Sequence, residues 1–323
     1  MHDGQHRKHL VTVGEAMLRL SVRPGDLLAD ADAFNVHVAG SEANVAYAAA
    51  RVGLDAAWVS ALPDHPLGRR IATTLTAGGV DTSLVRWVAD GRLGLYFVEL
   101  GIPPRPTNVI YDRAASAMAM AAPEMFDWAM AADADYLHVS GITLGLSESC
   151  RAIVRQAMEA AHSSGAVVTF DVNYRQRLWG PDSAAAAARA IAPLVDVLIC
   201  TAEDARDLFG MSGEPERMLA QLKAQLGVDS VVLTLGQEGA IATRAGATIR
   251  RSGHAVQTVD RVGAGDAFAA GLIWGLHEGS AELGLERGLA MSALKMTLHG
   301  DLFRLDAADV NAFLARDGRE VGR

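Results

Sequence analysis

Lysine is scarce in this chain of 323 residues: Lys8, Lys223 and Lys295 are the three lysines among 29 basic residues. Acidic residues number 38, so the formal net charge at neutral pH is −9. A chain with this balance has no global positive field that could hold a polyphosphate backbone. We therefore do not expect nucleic acid to be its partner.

Cysteines and long apolar runs are scarce as well. Cys150 and Cys200 are too few for a disulfide framework or a four-thiolate metal site, and a reducing cytoplasm is the simplest setting for them. No stretch approaches the roughly 18 uninterrupted apolar residues of a membrane span, and the polar start lacks the apolar region of a secretion signal. We expect a cytoplasmic protein without a membrane partner, with tails at residues 1–9 and 316–323.

Short apolar runs alternate with amphipathic stretches of helical length along most of the chain. The pattern predicts strands at residues 10–13, 57–61, 136–140, 167–172, 195–200 and 231–235. It predicts helices near 42–52, 67–77, 147–162, 183–192, 203–209, 215–226, 266–277, 281–298 and 307–315. This alternation is typical of an α/β fold, in which helices cover both faces of a mostly parallel sheet.

Two segments, 17–38 and 83–112, break the alternation. They contain short alternating pieces, such as residues 95–99 and 109–111, separated by glycine and proline. We interpret them as a small β-layer, called the lid below, inserted into a single domain that spans residues 10–315. Layers of this kind often close over a ligand. The alternative is a pair of irregular surface excursions.

The most informative stretch is a glycine-rich turn at residues 260–271, DRVGAGDAFAAG. Gly263 and Gly265 let the backbone approach a ligand closely, and a helix is predicted to begin near Asp266. Backbone N–H groups at such a turn, together with the helix dipole, bind an anion such as phosphate. The spacing differs from the dinucleotide-binding fingerprint, and the chain has no Gly-Lys-Ser/Thr of a P-loop. We therefore predict phosphate chemistry that uses neither motif.

Asp266 stands where a carboxylate would repel a bound phosphate. In phosphoryl transfer such a carboxylate accepts the proton of the attacking hydroxyl, while the N–H groups neutralise charge on the transferred group. The alternative is a first-turn carboxylate that only interacts favourably with the helix dipole. The adjacent glycines favour the catalytic interpretation.

Two motifs at opposite ends of the chain resemble those of the PfkB or ribokinase-like carbohydrate kinases. AGSEANVA at residues 39–46, followed by Gly53 and Gly68, is similar to the sugar-binding turn of the family. GAGD at residues 263–266 is similar to its anion hole and catalytic base. The resemblance covers residues 10–315 and implies a ribokinase-like three-layer sandwich, with a mostly parallel central sheet and an inserted β-sheet lid.

The resemblance also implies cofactors and roles at the phosphate end. ATP and Mg²⁺ would be used, Asp266 would be the general base, and the backbone N–H groups of Gly263, Ala264 and Gly265 would hold the developing charge. The residues implied to border the nucleotide are Thr234, Gly236 and Gly239. Residues 236–239 are, by themselves, typical of a turn between two strands.

Several segments resemble the 2-keto-3-deoxygluconate kinases of this family, namely residues 111–113, 137–142, 170–179 and 299–301. Arginine binds a carboxylate through paired hydrogen bonds, so an arginine in the lid suits a sugar acid. The implied substrate contacts are Gly40, Ser41, Asn44, Tyr96, Tyr111, Arg113, Arg175 and Asp301, with Asn173 towards the nucleotide. Arg175 would lie near the substrate carboxylate or near the transferred phosphate. Each of these residues has a structural alternative: a surface ion pair for the arginines, a strand aromatic for the tyrosines, and a turn residue for Asp301.

Three positions depart from the family pattern. TAED at residues 201–204 replaces an Asn-x-x-Glu that arranges the metal in many relatives. Which carboxylate of this segment, if either, supports Mg²⁺ is therefore left open. Arg261 stands where many members have a small threonine, although the sugar-acid branch resembles this chain there. His299 replaces a residue that is often larger or basic.

These observations predict an ATP-dependent kinase of 2-keto-3-deoxygluconate or a close analogue. A neutral-sugar kinase of the same family, such as a fructokinase or ribokinase, is one alternative. A catalytically silent regulator that binds sugar or nucleotide is another, and the retained Asp266 argues against it. Because short lid strands cannot bury two faces alone, we also expect a homodimer that forms through the lid.

Overall fold

The computed structural model describes residues 8–102, 104–244 and 246–320, with side chains as far as Arg316. In chain order its strands are β1 Lys8–Val13, β2 Met17–Ser21, β3 Asn35–Ala39, β4 Ala56–Pro63, β5 Val85–Val88, β6 Gly94–Glu99, β7 Asn108–Asp112, β8 Ala134–Ser140, β9 Val167–Asp171, β10 Val197–Thr201, β11 Ser230–Thr234, β12 Ala240–Arg244 and β13 Ala247–Arg251. Its helices are α1 Ser41–Arg51, α2 Pro66–Ala77, α3 Ala129–Ala132, α4 Gly141–Leu146, α5 Glu148–Ser164, α6 Pro181–Ile191, α7 Ala202–Phe209, α8 Pro215–Leu226, α9 Ala264–His277, α10 Ala281–Met296 and α11 Ala307–Glu320.

A nine-stranded sheet forms the centre of the molecule, in the order β13-β12-β11-β10-β9-β8-β1-β4-β5. The strands from β11 to β5 pair in parallel, and β12 and β13 form an antiparallel hairpin at one edge. Parallel strands end at the same side of a sheet. The residues that follow β1, β8, β9, β10 and β11 therefore lie along one edge, which is where ligands bind in open α/β sheets.

Helices cover both faces of this sheet because its strands bury side chains on both sides. Val11 and Val13 of β1 belong to one apolar core with residues of α5, α6, α7 and α8. Leu10 points to the opposite core, which contains residues of α1, α2, α9, α10 and α11. The fold is thus a three-layer α/β/α sandwich.

The lid is a separate four-stranded sheet in the order β3-β2-β6-β7. β2 runs parallel to β6, whereas β2–β3 and β6–β7 are antiparallel. Tyr96 pairs with Tyr111 and the next residue, Phe97, pairs with Ile110, so these two pairs lie on opposite faces. The chain enters the lid through residues 14–16 and 89–93, and leaves it at Gly40 and Arg113.

The predicted α/β fold with a small separate sheet is confirmed, and each predicted strand and helix corresponds to an observed element. Two end points differ from the predicted tails: β1 already begins at Lys8, and α11 continues to Glu320. Residues 1–7 and 321–323 lie outside the described residues. None of the described helices is long and apolar enough to cross a membrane.

The predicted extent of the lid needs one correction. β5 lies within the segment 83–112, yet it pairs in parallel with the end of β4 and belongs to the large sheet. Only residues from Gly94 onwards in this segment join the lid. The β12–β13 hairpin was not predicted, and residues 236–239 form the turn between β11 and β12.

Candidate active site

Asp266 lies where the N-terminal ends of α1 and α9 meet at the carboxyl edge of the large sheet. Ser41 Oγ donates a hydrogen bond to Asp266 Oδ1 over 2.7 Å, and Asn44 Nδ2 donates to Oδ2 over 2.7 Å. Ser41 and Asn44 are three residues apart in the first turn of α1, so both face α9. The structure therefore brings together the two sequence motifs, and each carboxylate oxygen of Asp266 has a fixed donor.

Asn173 completes this group from the end of β9. Its Nδ2 donates to Ser41 Oγ over 2.9 Å, and its φ of 39° is unusual for a residue with a side chain. Strained backbone of this kind concentrates at functional sites. The family resemblance implied a place towards the nucleotide for Asn173; in the structure its side chain lies beside Ser41, in the same hydrogen-bonded group as Asp266.

Burial controls the charge of Asp266. It raises the pKa of the Asp266 carboxyl above its ordinary value, while the hydrogen bonds from Asn44 and Ser41 and the charges of Arg175 and Lys295 act in the opposite direction. A general base works best when its pKa is close to the working pH. A carboxylate with a raised pKa and two fixed donors suits that task.

The glycine-rich turn forms the start of α9. Gly263 has a φ of 83°, and a Cβ at this position would clash with the backbone oxygen of Asp301, so the turn requires glycine. Ala264 N donates to the Arg261 carbonyl over 3.2 Å, and its N–H therefore already has a partner within the turn. Gly265 is exposed, and a Cβ on it would meet no atom within 4 Å, so the space beside Gly265 is open.

Asp171 and Asp204 add two buried carboxylates at the ends of neighbouring strands. Burial, followed by the charges of Asp266 and Asp204, raises the pKa of Asp171 well above its ordinary value. Burial also raises the pKa of Asp204, whereas Glu203 points to solvent. Of the two acidic residues in TAED, Asp204 is thus the one that faces the site. The exposed Arg175 lowers the pKa of all three carboxyls through its charge.

These carboxylates suit Mg²⁺. It is typically held by one or two carboxylates together with water and substrate phosphates. Burial and the charges of Asp266 and Asp204 raise the pKa of Asp171, and a bound cation stabilises such a carboxyl in its charged form. Asp171 and Asp204 would hold the ion.

Asp301 lies at the sugar end of the expected site, in a buried ion network. Arg19 Nη1 contacts Asp301 Oδ2 over 3.1 Å and Asp260 Oδ2 over 2.8 Å, and the Tyr96 hydroxyl donates to Asp301 Oδ1. Tyr111 stacks on Tyr96 with ring centroids 5.6 Å apart. Tyr96, Tyr111 and Asp301 therefore lie together, and the ion pair with Arg19 holds the Asp301 carboxylate in place.

Arg113 has a partner within the protein. Its Nε donates to Glu15 Oε2 over 2.9 Å and its Nη2 reaches the same oxygen, while Ser116 donates to Glu15 Oε1. This ion pair is buried. It connects the segment before β2, where the chain enters the lid, to the segment after β7, where the chain leaves it. Gly40 packs here too, because a Cβ on it would clash with the Glu15 carbonyl.

The residues expected to border the nucleotide lie further along the same sheet edge. Thr234 ends β11 and pairs with Thr201 at the end of β10. Gly236 opens the turn that follows, and Leu235 N donates to the Gly239 carbonyl over 2.8 Å to close it. None of these three has a hydrogen bond to the Asp266 group among the described residues.

Sequence reasoning missed several charged residues that shape the site: Glu15, Arg19, Glu42, Asp171, Asp260 and Lys295. All of them are buried. A single charged residue inside an apolar stretch, such as Arg19 in MLRLS, was the available signal, because such residues are rarely buried without a partner.

A second group of titratable side chains, His9, Asp135 and His277, lies at the opposite end of β1 and β8. Their ligand atoms are within 4.8 Å of one another. However, His9 Nδ1 accepts the Asp55 N–H over 3.0 Å, so the neutral ring carries its proton on Nε2. That nitrogen is then not free to bind a metal, and we assign no metal site there.

The chain is similar to known proteins over nearly its whole length. Residues 7–307 match the family model of the pfkB family carbohydrate kinases. The chain is 41% identical over 294 residues to a 2-dehydro-3-deoxygalactonokinase of Haloferax volcanii, with 91% of this chain and 92% of that protein covered. It is 37% identical over 300 residues to a 2-dehydro-3-deoxygluconokinase of Thermoproteus tenax, covering 90% and 89%.

Solved structures show the same relationship. The crystal structure of 2-dehydro-3-deoxygluconokinase from Thermotoga maritima superposes with a TM-score of 0.87 at 35% identity, covering 97% of this chain and 100% of that one. Family model, curated relatives and structure each span nearly the whole chain. The chain belongs to the pfkB family of carbohydrate kinases.

Proposed function

We propose that this kinase transfers the γ-phosphoryl group of ATP to a hydroxyl of a 2-keto-3-deoxy sugar acid, either 2-keto-3-deoxygluconate or its galactonate epimer. The observation that carries the proposal is Asp266, held by Ser41 and Asn44 beside the open N-terminus of α9. Relatives that act on these two sugar acids match the chain over about nine-tenths of its length. A cytoplasmic location, where ATP is available, is part of the proposal.

In the proposed mechanism Asp266 accepts the proton of the sugar hydroxyl as its oxygen attacks the γ-phosphorus. The new P–O bond forms while the bond between the γ-phosphorus and the bridging oxygen of ADP breaks, so ADP leaves with that electron pair. N–H groups at the start of α9, that of Gly265 among them, stabilise the charge on the transferred group. Mg²⁺, when bound, neutralises charge on the nucleotide phosphates.

The substrate would occupy the space between the lid and the start of α1. Tyr96, Tyr111 and Asp301 would contact its hydroxyls, and Gly40, Ser41 and Asn44 would line its other side. Arg113 and Arg175 would face the carboxylate. Glu15 takes up Nε and Nη2 of Arg113, which fixes the plane of the guanidinium and leaves Nη1 for the substrate. Thr234, Gly236 and Gly239 would border the nucleotide.

The Glu15–Arg113 pair also favours the second candidate, a neutral-sugar kinase of the same family. Glu15 balances the charge of Arg113, and a balanced arginine attracts a carboxylate less strongly than a free one. Substrate preference therefore has to be measured directly.

A substrate panel with ATP and Mg²⁺ separates the two candidates. We expect phosphorylation of both 2-keto-3-deoxy sugar acids, with a much higher kcat/KM than for fructose or ribose. Arg113→Ala should lower kcat/KM for the sugar acid about 10- to 100-fold and leave neutral sugars little changed, because it removes a charge-assisted hydrogen bond. Arg105→Ala, in the exposed lid loop, is the control. An equal loss on acidic and neutral sugars would argue against a carboxylate role.

Because Arg113→Ala leaves Glu15 buried without its partner, the double variant Glu15→Gln/Arg113→Ala is measured beside it. A specificity role predicts the same selective loss in both variants. A loss that the double variant repairs would show that the orphaned Glu15 charge caused it.

The chemical step is tested with Asp266→Asn. The amide retains the size of the side chain but cannot accept the proton, so kcat should fall by about 10²–10⁴-fold. ATP affinity, measured by equilibrium binding, should change little. Near-normal turnover would remove Asp266 from the role of base.

A further inference from the structure

Lys295 is a charged residue that the proposed mechanism does not use, and it lies next to the site. It stands in the last turn of α10, and its relative exposure is 0%. Burying an ammonium group is unfavourable unless partners compensate for the lost hydration. A lysine in such a place therefore needs a reason.

The partners of Lys295 belong to two turns that carry site residues. Its Nζ donates to the carbonyl of Asp260 over 3.5 Å and to the carbonyl of Leu298 over 3.4 Å. Asp260 begins the turn that leads into Gly263 and α9. Leu298 begins the turn that leads to Asp301.

Further hydrogen bonds of Asp260 fix its own turn and connect it to the second turn and to the end of α10. Asp260 Oδ1 accepts the Val262 N–H over 3.1 Å, and Oδ2 accepts the Gly300 N–H over 3.1 Å. The Asp260 N–H donates to the Met296 carbonyl over 3.1 Å. Since Gly263 also packs against the Asp301 carbonyl, a shift of either turn would move the start of α9.

The charges around Lys295 show a second effect. Two cations, Arg19 and Lys295, lie among three carboxylates, Asp260, Asp301 and Asp266, and all five groups are buried. Arg19 already contacts both Asp260 and Asp301. Without Lys295, Arg19 would be the one buried cation among these three carboxylates, and a charged Asp266 would be less stable even with the exposed Arg175 nearby.

We propose that Lys295 is a positioning residue, whose buried ammonium group joins the turns at residues 260–263 and 298–301 and supports the negative charge of Asp266. The inference rests on the proposed role of Asp266 as base. Lys295 acts through Asp266 and the start of α9, and it does not touch the sugar.

The test compares Lys295→Met, which keeps the length of the side chain without its charge, with Lys223→Met on the exposed face of α8. We expect kcat of Lys295→Met to fall about 10- to 100-fold, as is typical when a catalytic group is misplaced. The acidic limb of the kcat/KM profile should move to higher pH, because loss of a nearby positive charge raises the pKa of Asp266. The other charged and titratable groups of this region are unchanged in the variant: Arg19, His37, Asp171, Arg175, Asp260 and Asp301.

Chemical rescue provides the second measurement. Lys295→Ala leaves a space lined by two carbonyl oxygens, so methylammonium or ethylammonium should restore part of kcat and raise the melting temperature of this variant but not of the wild type. If Lys295→Met does not fold, the melting temperature of Lys295→Ala with and without the amine decides the question. An acidic limb that stays in place, or a loss that no amine restores, would overturn the proposal. Asp266→Asn tests the base independently, so failure of one claim does not conceal failure of the other.

Discussion

Glu42 is the buried residue whose protonation should be visible in the stability of the protein. Its Oε1 accepts hydrogen bonds from Ser140 N (3.0 Å), Ser140 Oγ (2.8 Å) and Thr143 Oγ1 (2.7 Å). Its Oε2 faces Gly14 and has no hydrogen-bond partner among the described residues. Burial raises the pKa of Glu42 to about 7 in spite of these donors.

The raised pKa fixes the sign of the pH dependence. Between about pH 4.5 and 7 the folded state holds a proton on Glu42 that the unfolded chain has released, so wild-type stability falls as pH rises through this range. Glu42→Gln resembles the protonated form and cannot ionise, so its stability should not fall with rising pH for this reason. Between pH 5 and pH 8 the free energy of unfolding of Glu42→Gln should therefore rise, relative to that of the wild type, by up to about 3 kcal/mol.

Urea unfolding of both proteins at these two pH values measures the difference. Glu148→Gln, on the exposed N-terminus of α5, serves as the control and should show no comparable change. A free-energy difference between wild type and Glu42→Gln that is the same at both pH values would show that Glu42 is ionised throughout.

Individual residues also show where sequence reasoning reached its limit. The turn before Asp266 was predicted because a glycine-rich turn before an apolar helix has a recognisable pattern, and the motif with Ser41 and Asn44 was predicted from the resemblance to the kinase family. Glu15, Arg19 and Lys295 were not, since a charged residue in a sequence is expected at the surface until its partner is known. Those partners lie far away in the chain: Arg19 meets Asp260 and Asp301.

At the scale of elements, α9 and α10 depend on glycines where they cross. A Cβ at Gly275 of α9 would clash with the backbone of Gly284 in α10, and one at Gly271 would lie 2.7 Å from the backbone of Arg287. The two helices are therefore closer than side chains would permit. α9 carries Asp266 at one end and α10 carries Lys295 near its C-terminus, so this contact also sets the geometry of the site.

Gly275→Ala should destabilise the protein by about 1–3 kcal/mol, because the added methyl group overpacks the crossing. We expect kcat to fall as well, since α10 would be displaced from α9. Gly180→Ala is the matched control: its φ is −74° and a Cβ there would meet nothing within 4 Å. Thermal unfolding and turnover of both variants provide the comparison, and an equally small effect at the two positions would contradict the close helix contact.

Elements with a clear period were predicted, and those without one were not. The buried parallel strands and amphipathic helices could be read from apolar spacing. β5 has only the four residues VRWV and was assigned to the lid. Nothing in so short a stretch indicates that it pairs with the end of β4. β13 has one buried residue in five, so no apolar pattern distinguishes it from a loop.

At the scale of the whole molecule, the lid has one face towards the site and one away from it. Tyr96 and Tyr111 lie on the first face, and Phe34, Phe97 and Ile110 lie together on the second. Phe34 packs edge-on against Phe97 with ring centroids 5.8 Å apart, and Ile110 pairs with Phe97 across β6 and β7. β7 is also an edge strand whose residues are mostly exposed.

An apolar outer face beside an open strand edge favours covering by another protein surface. The homodimer expected from the sequence would provide it, with the lid of a second copy as the natural partner. Ile110 is 50% exposed, and a charge in its place would be buried in such an interface. Ile110→Asp should therefore shift the protein towards monomer in sedimentation equilibrium, while Leu67→Asp, at a 46% exposed leucine on α2, should leave the wild-type state unchanged. A wild-type protein that stays monomeric at every concentration would exclude the dimer, and a dimer that Ile110→Asp does not weaken would place the interface elsewhere.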